Sequence, residues 1–326
     1  MKLASLRDGS RDGALALVNA DLTCALPVPH IVKTLQAALD AWSAAEPYLR
    51  EAAALLEAGT ASGIRPFAAK DALAPLPRAY QWVDASAYVT HVQLVRKARG
   101  AEMPASFWTD PLFYQGTSDC NLAATDPIPL GDEAFGCDFE GELAVITDDV
   151  PFGTKEAQAG RHIKLMALLN DVTLRNLVPP ELAKGFGFFQ SKPQTAYGPV
   201  AVTPDELGDA WDGERVHLPL TVKRGSKLFG RPDAGRDMVF GFPRLIEHAA
   251  RTRPLSAGTI LGAGTVSNSD RSVGSACIAE QRALEMVESG AAKTPFLAVG
   301  ETVSLEMFDK SGRSVFGRIE QCVAAA

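Results

Sequence analysis

Two short apolar runs, at 2–6 and 14–19, flank the turn-rich segment RDGSRDG, and this pattern predicts an opening β-hairpin. From Ile31 to Leu56 the chain turns to Ala, Leu and Glu at helical spacing. Pro47 is expected to divide this stretch into two helices, with Gly59 as the C-terminal stop. Gly63, Pro66, Pro75 and Pro77 punctuate the next segment. They place a boundary between a small N-terminal domain, 1–77, and a main domain, 78–326.

Beyond that point the pattern is one of strands with long connections. DFEGELAVI (138–146) and TVSLEM (302–307) alternate cleanly, as does the run VHLPLTVK (216–223), and 163–169 reads as an apolar core strand. The last hairpin is expected to turn at Asp309-Lys310-Ser311-Gly312. Helical segments near 154–160 and 238–250 are too few to alternate with the strands of a parallel, doubly wound sheet. The expected class is therefore α+β, mainly β.

Composition adds bounds. The chain has 326 residues, 46% hydrophobic and 22% charged, which suits a globular protein with a sizeable core. A net charge of -7 argues against a nucleic-acid partner. Charged residues follow Met1 too soon for a secretory leader, and no uncharged stretch approaches the ~20 residues that span a bilayer. Five scattered cysteines without a CxxC pair show the spacing of neither a disulfide frame nor a zinc site. The expectation is a soluble, cytoplasmic protein with reduced thiols.

The acidic residues carry the candidate chemistry. On a strand, Glu140 and Glu142 share a face that continues into Ala144 and Ile146. Neighbouring carboxylates on an apolar face resist desolvation unless a cation neutralises them, and a hard divalent ion with oxygen ligands does so. The alternative is a solvated strand end whose glutamates face water. Asp171 follows the apolar run 163–169, where it could equally cap a turn, and Asp84 precedes His91 within VDASAYVTH. Each alone reads as structural; the combination reads as a site.

The segments VDASAYVTH (83–91), PLFYQGTSD (111–119), DFEGELAVI (138–146), NDVTLRN (170–176), GFFQSKP (187–193), GTILGAGTVSN (258–268) and GSACIAE (274–280) stand in the order seen in fumarylacetoacetate hydrolases. The chain resembles that family over about residues 80–320, and its N-terminal part resembles the short N-terminal domain of bacterial members. The resemblance implies a fumarylacetoacetase-like β-roll as the C-terminal domain, behind a small α+β domain. It implies a divalent metal, Mg²⁺ before Ca²⁺ or Mn²⁺, on Asp84, Glu140, Glu142 and Asp171. His91 would be the catalytic base, Glu280 its orienting carboxylate, and Lys192 a catalytic cation. Arg99, Tyr114, Arg175 and Thr265 match substrate-side or oxyanion positions. The implied activity is metal-dependent hydrolysis of a C–C bond in a small diketo acid such as fumarylacetoacetate, in aromatic amino-acid catabolism, by a homodimer. Two positions depart from the family: Ser86 replaces a tyrosine and Val178 a glutamine, both of which normally hold the fumaryl part of the substrate.

Three other readings compete. A hydratase or decarboxylase of a related keto acid would use the same metal and enolate chemistry. A nicotinamide-dependent oxidoreductase is suggested by Gly262-Ala263-Gly264-Thr265-Val266-Ser267, but the third glycine of the fingerprint is missing. A non-catalytic scaffold would leave the ionisable residues unexplained.

Overall fold

The computed structural model describes residues 1–98, 100 and 102–326. Its centre is an eleven-stranded sheet in which Arg65–Pro66, Cys24–Pro27, Ala14–Val18 and Lys2–Leu6 form one end. Ala201–Val202, Ile163–Asn170, Gly141–Thr147, Thr259–Gly262, Gln81–Ala85 and Phe113–Gln115 continue it, with Ala196–Tyr197 paired beside the 163–170 strand. The pairing is antiparallel except between the 259–262 and 81–85 strands. A second, five-stranded sheet runs Lys227–Gly230, Leu220–Arg224, Thr302–Met307, Ile319–Ala325, Ile128–Leu130.

The opening hairpin forms as the pattern predicts, pairing Lys2 with Val18 through to Leu6 with Ala14. It does not stand apart. Lys2 and Leu3 pair with Val202 and Ala201, so the large sheet crosses the expected boundary at residue 77 without interruption. Its central strands are buried on both faces. Leu143, Val145, Met166 and Leu168 point into the larger core. Ala144, Ile146, Leu165, Ala167 and Leu169 point the other way, into a core shared with the helices Leu35–Asp40 and Trp42–Glu57.

Those two helices part at Ala41 (φ -131°, ψ 38°), and Pro47 lies inside the second. The proline sits early in that helix, where it removes a single hydrogen bond, while the turn at Ala41 lets both helices lay Leu35, Leu39, Trp42 and Leu49 on the sheet. Gly59 (φ +68°) ends the second helix in a Schellman motif, with Gly59 N bonded to Leu56 O and Thr60 N to Leu55 O, both at 3.0 Å.

Three expectations need adjustment. The stretch 138–146 is not one strand, because Cys137–Asp138 pairs with Thr173–Leu174 while Gly141–Thr147 pairs with the 163–170 strand. The run 216–223 becomes strand only from Leu220. Two helices, Val89–Ala98 and Ile278–Ser289, pack against each other where strands and loops alone were expected. Among the described residues no helix is long and apolar enough to cross a membrane.

Candidate active site

The sheet itself positions three carboxylates. Asp84 lies near the end of the 81–85 strand, beside Gly262 of its parallel neighbour. A Cβ on Gly262 would stand 2.4 Å from Asp84 Oδ1, so glycine is what lets the carboxylate lie across that strand. The chain then turns at Gly264 (φ +86°), whose N–H donates to Asp84 Oδ1 at 3.0 Å. Glu142, on the next strand, faces Leu169 across the ladder, and Asp171 follows two residues later. Asp84, Glu142 and Asp171 each bring an oxygen within 4.8 Å of the other two.

All three are buried, at 6%, 1% and 0% exposure. Glu142 Oε1 accepts from Thr265 Oγ1 at 3.4 Å, while Oε2 has no partner. Burial pushes the Asp84 carboxyl well above its usual range, and the Asp171 charge adds to it. Burial does the same to Glu142, helped by Asp84 and Asp171. Clustered, desolvated, oxygen-only donors with an orphaned lone pair fit a hard divalent cation.

Glu140 stands beside this trio but not in it. It occupies the break between the 137–138 and 141–147 strands, its N–H held by Asn170 Oδ1 at 3.0 Å. Its oxygens accept from Arg175 Nη2 and Lys192 Nζ, each at 2.5 Å. Burial alone would raise its pKa, but Arg175 and Lys192 outweigh it and hold Glu140 below the ordinary carboxylate range. Lys192 Nζ also donates to Asp171 Oδ2 at 2.6 Å, linking Glu140 to the trio. Tyr114 donates its hydroxyl to the same Asp171 oxygen, and its ring lies 5.0 Å below the ammonium.

His91 and Glu280 come from the two packed helices. His91 is half-buried on the 89–98 helix, with Nδ1 inaccessible and unpartnered. Glu280, in the first turn of the 278–289 helix, is 1% exposed. Its Oε1 accepts from Ser267 Oγ and, at 2.6 Å, from Arg271 Nη1, while Oε2 has no partner. A ring nitrogen of His91 and a carboxylate oxygen of Glu280 lie within 4.8 Å. Burial lowers the His91 pKa, with Glu280 opposing, which favours the neutral imidazole at neutral pH.

These groups open onto one cavity of ≈ 240 Å³. Asp84, Glu140, Glu142, His91, Tyr114, Arg175, Lys192 and Thr265 all line it, with Asp171 beneath and Glu280 behind His91. Val92, Phe107, Leu112 and Phe188 form an apolar wall, and Ser86 and Val178 also line the cavity. Arg99 lies outside the described residues.

Residues 81–324 match the family model described as fumarylacetoacetate (FAA) hydrolase C-terminal, and 1–78 match that of fumarylacetoacetase N-terminal domain 2. The chain belongs to the fumarylacetoacetate hydrolase family. Over 131 residues it is 30% identical to oxaloacetate tautomerase YisK of Bacillus subtilis (strain 168), a match covering 40% of the chain and 41% of that relative. Maleylpyruvate hydrolase from Sphingobium sp. SYK-6, solved with manganese(II) and pyruvate, superposes with a TM-score of 0.67 at 15% identity, each chain covered fully. Fumarylacetoacetate hydrolase from the psychrophilic Exiguobacterium antarcticum does so with 0.63 at 16%, again over both whole chains. At these identities the structural likeness is one of fold.

Within this family fold, some residues of the site carried no mark in the sequence. Asp138, fully buried, accepts from Ile278 N at 2.7 Å, Ala279 N at 2.9 Å and Arg175 Nε at 2.8 Å. It ties the helix of Glu280 to the arginine that holds Glu140. Thr195 Oγ1 donates to Asp171 Oδ1 at 2.8 Å. Arg96 lines the cavity, its Nε on Glu102 O at 2.8 Å and its guanidinium 5.4 Å from the Phe107 ring. The glycine-rich turn after the 259–262 strand serves Asp84 and Thr265 and leads into a three-residue 3₁₀ turn, Arg271–Val273, not the long helix of a dinucleotide site.

Proposed function

We propose that the chain is a divalent-metal-dependent hydrolase that cleaves a C–C bond in a small diketo acid, giving two acid fragments. The observation that carries this reading is that His91, with Glu280 close to its ring, lines the same cavity as Asp84 and Glu142 of the trio.

The trio would hold the cation, with Glu140 at its flank; when bound, the ion supplies Lewis acidity toward a carbonyl and a counter-charge for a departing enolate. His91 takes a proton from water, which then attacks the carbonyl carbon; the C–C bond breaks, and its electron pair passes to the enolate fragment. That fragment recovers a proton, so water is consumed and no redox partner is needed. Glu280 fixes the imidazole tautomer and offsets the imidazolium charge. Lys192 and Arg175 offer donors to the oxyanion and the substrate carboxylate. Tyr114, on the 113–115 strand, and Thr265, in the turn after the 259–262 strand, orient the substrate, and Arg99 is proposed as a further carboxylate anchor. Ser86 and Val178, shorter than the family's residues, leave room for an acyl group other than fumaryl.

Turnover of fumarylacetoacetate and shorter acylpyruvates, with and without chelator, tests the reading. Metal-dependent release of two acids is expected. Release of carbon dioxide would point to a decarboxylase instead. A second reading, keto–enol isomerisation, is favoured by the B. subtilis relative. There the base would move a proton at carbon, and the product would keep every carbon of the substrate.

A further inference from the structure

Behind the cavity wall, three side chains of different chemistry meet. His91, Cys277 and Glu280 each bring one donor atom within 4.8 Å of the other two. Two of these residues hold a buried atom without a hydrogen-bond partner, His91 Nδ1 and Glu280 Oε2. An orphaned carboxylate oxygen at 1% exposure costs free energy until something binds it. The Ser267 hydroxyl and the Arg271 guanidinium occupy the other oxygen and leave this one open.

Cys277 caps the 278–289 helix, its Sγ accepting from Glu280 N at 3.4 Å. Serine, threonine or an acidic residue caps better than a thiol, so capping alone does not call for sulfur here. Imidazole nitrogen, sulfur and one carboxylate oxygen differ in kind from the oxygen-only trio nearby. Such a borderline-soft set suits Zn²⁺, where the trio suits Mg²⁺, Mn²⁺ or Ca²⁺.

We infer that His91, Cys277 and Glu280 form a second cation site, selective for Zn²⁺, whose occupation withdraws His91 and inhibits the enzyme. The cavity that His91 lines gives the ion its way in, and water can fill the fourth position. Binding releases the Cys277 proton to solvent and changes no oxidation state. The inhibitory half rests on the proposed function; the binding half does not.

Enzyme kept in excess Mg²⁺ is titrated with Zn²⁺, and with Co²⁺ as a spectroscopic substitute, in parallel with Cys277→Ser and Cys137→Ser. Serine retains the cap, and Cys137 is the other buried thiol. One Zn²⁺ per chain is expected beyond the Mg²⁺, with a thiolate-to-cobalt charge-transfer band that Cys277→Ser abolishes and Cys137→Ser keeps. Zinc inhibition should weaken at least about tenfold in Cys277→Ser while turnover without zinc persists. A band absent from the wild type, or surviving in Cys277→Ser, overturns the site. Inhibition that excess Mg²⁺ relieves, and that Cys277→Ser leaves unchanged, assigns zinc to the carboxylate trio instead. Should no diketo acid be turned over, the band and the stoichiometry still decide the site, and the functional reading fails separately.

Discussion

Arg175 Nε donates to Asp138 Oδ2 at 2.8 Å, and the same guanidinium reaches Glu140 at 2.5 Å. One arginine thus joins the carboxylate that holds the N-terminus of the 278–289 helix to the edge of the metal-type cluster. Asp138→Ala removes one of the two carboxylates that hold the part-buried Arg175 guanidinium and leaves two helix N–H groups without their acceptor. It should cost ~3–5 kcal/mol in denaturant unfolding, with Asp138→Asn costing less because an acceptor remains. A cost within ~0.5 kcal/mol of zero would remove Asp138 from any structural role.

His91→Ala should lower turnover ~10²–10⁴-fold without changing the unfolding midpoint or Mg²⁺ binding at the carboxylate trio. Because burial lowers the His91 pKa, the base form persists below the ordinary histidine value of ~6.5. The acid limb of kcat/KM should accordingly fall at a pH below that value. A pH–rate profile checks it, and a limb at or above the ordinary value contradicts the assignment.

Asp84 and Glu142 have folded-state pKa values raised above their unfolded ones. Such groups bind protons more tightly when folded, so their contribution to stability is lost as pH rises from the unfolded toward the folded pKa. A divalent cation competes with those protons. The rise in Tm on adding Mn²⁺ to chelator-treated protein should be larger at pH 8 than at pH 5. Glu142→Gln should raise the Tm of the metal-free protein and abolish most of the cation effect. A Tm shift independent of pH would argue that the cation binds elsewhere.

Gly262→Ala drives a methyl to 2.4 Å from Asp84 Oδ1 and 2.5 Å from the Trp82 ring. The expected cost is ~1–3 kcal/mol from overpacking, accompanied by weaker cation-induced stabilisation, because the displaced group belongs to the trio. Calorimetry with and without Mn²⁺ separates the two effects.

Much of this architecture could be read from the hydrophobic pattern. The opening hairpin and the 141–147 strand, buried on both faces, announce themselves by their short apolar runs, and the 302–307 strand by side chains that point in and out with period two. The same rule puts Glu140 and Glu142 on one face, yet the ladder changes partner between them. Glu142 consequently meets Asp84 and Asp171, while Glu140 turns to Arg175 and Lys192. No local pattern could show that, since the change is imposed by the 173–174 strand. Asp138 and Cys277 were equally invisible: Asp138 accepts from Ile278, 140 residues away. Cys277, without a CxxC neighbour, meets its imidazole only through the packing of the 89–98 and 278–289 helices. The helix break at Ala41 escaped for a different reason, as proline marks a local preference that packing on the sheet overrode.

The hydrogen bonds between 2–3 and 201–202 make the first 78 residues something other than a detachable cassette. Severing the chain there would bare the outer edge of the 201–202 strand and the apolar face beneath the two N-terminal helices. The remainder would expose that apolar face to water, an aggregation liability. Grafting another leading segment onto this catalytic scaffold therefore demands a matching register, not just a matching length.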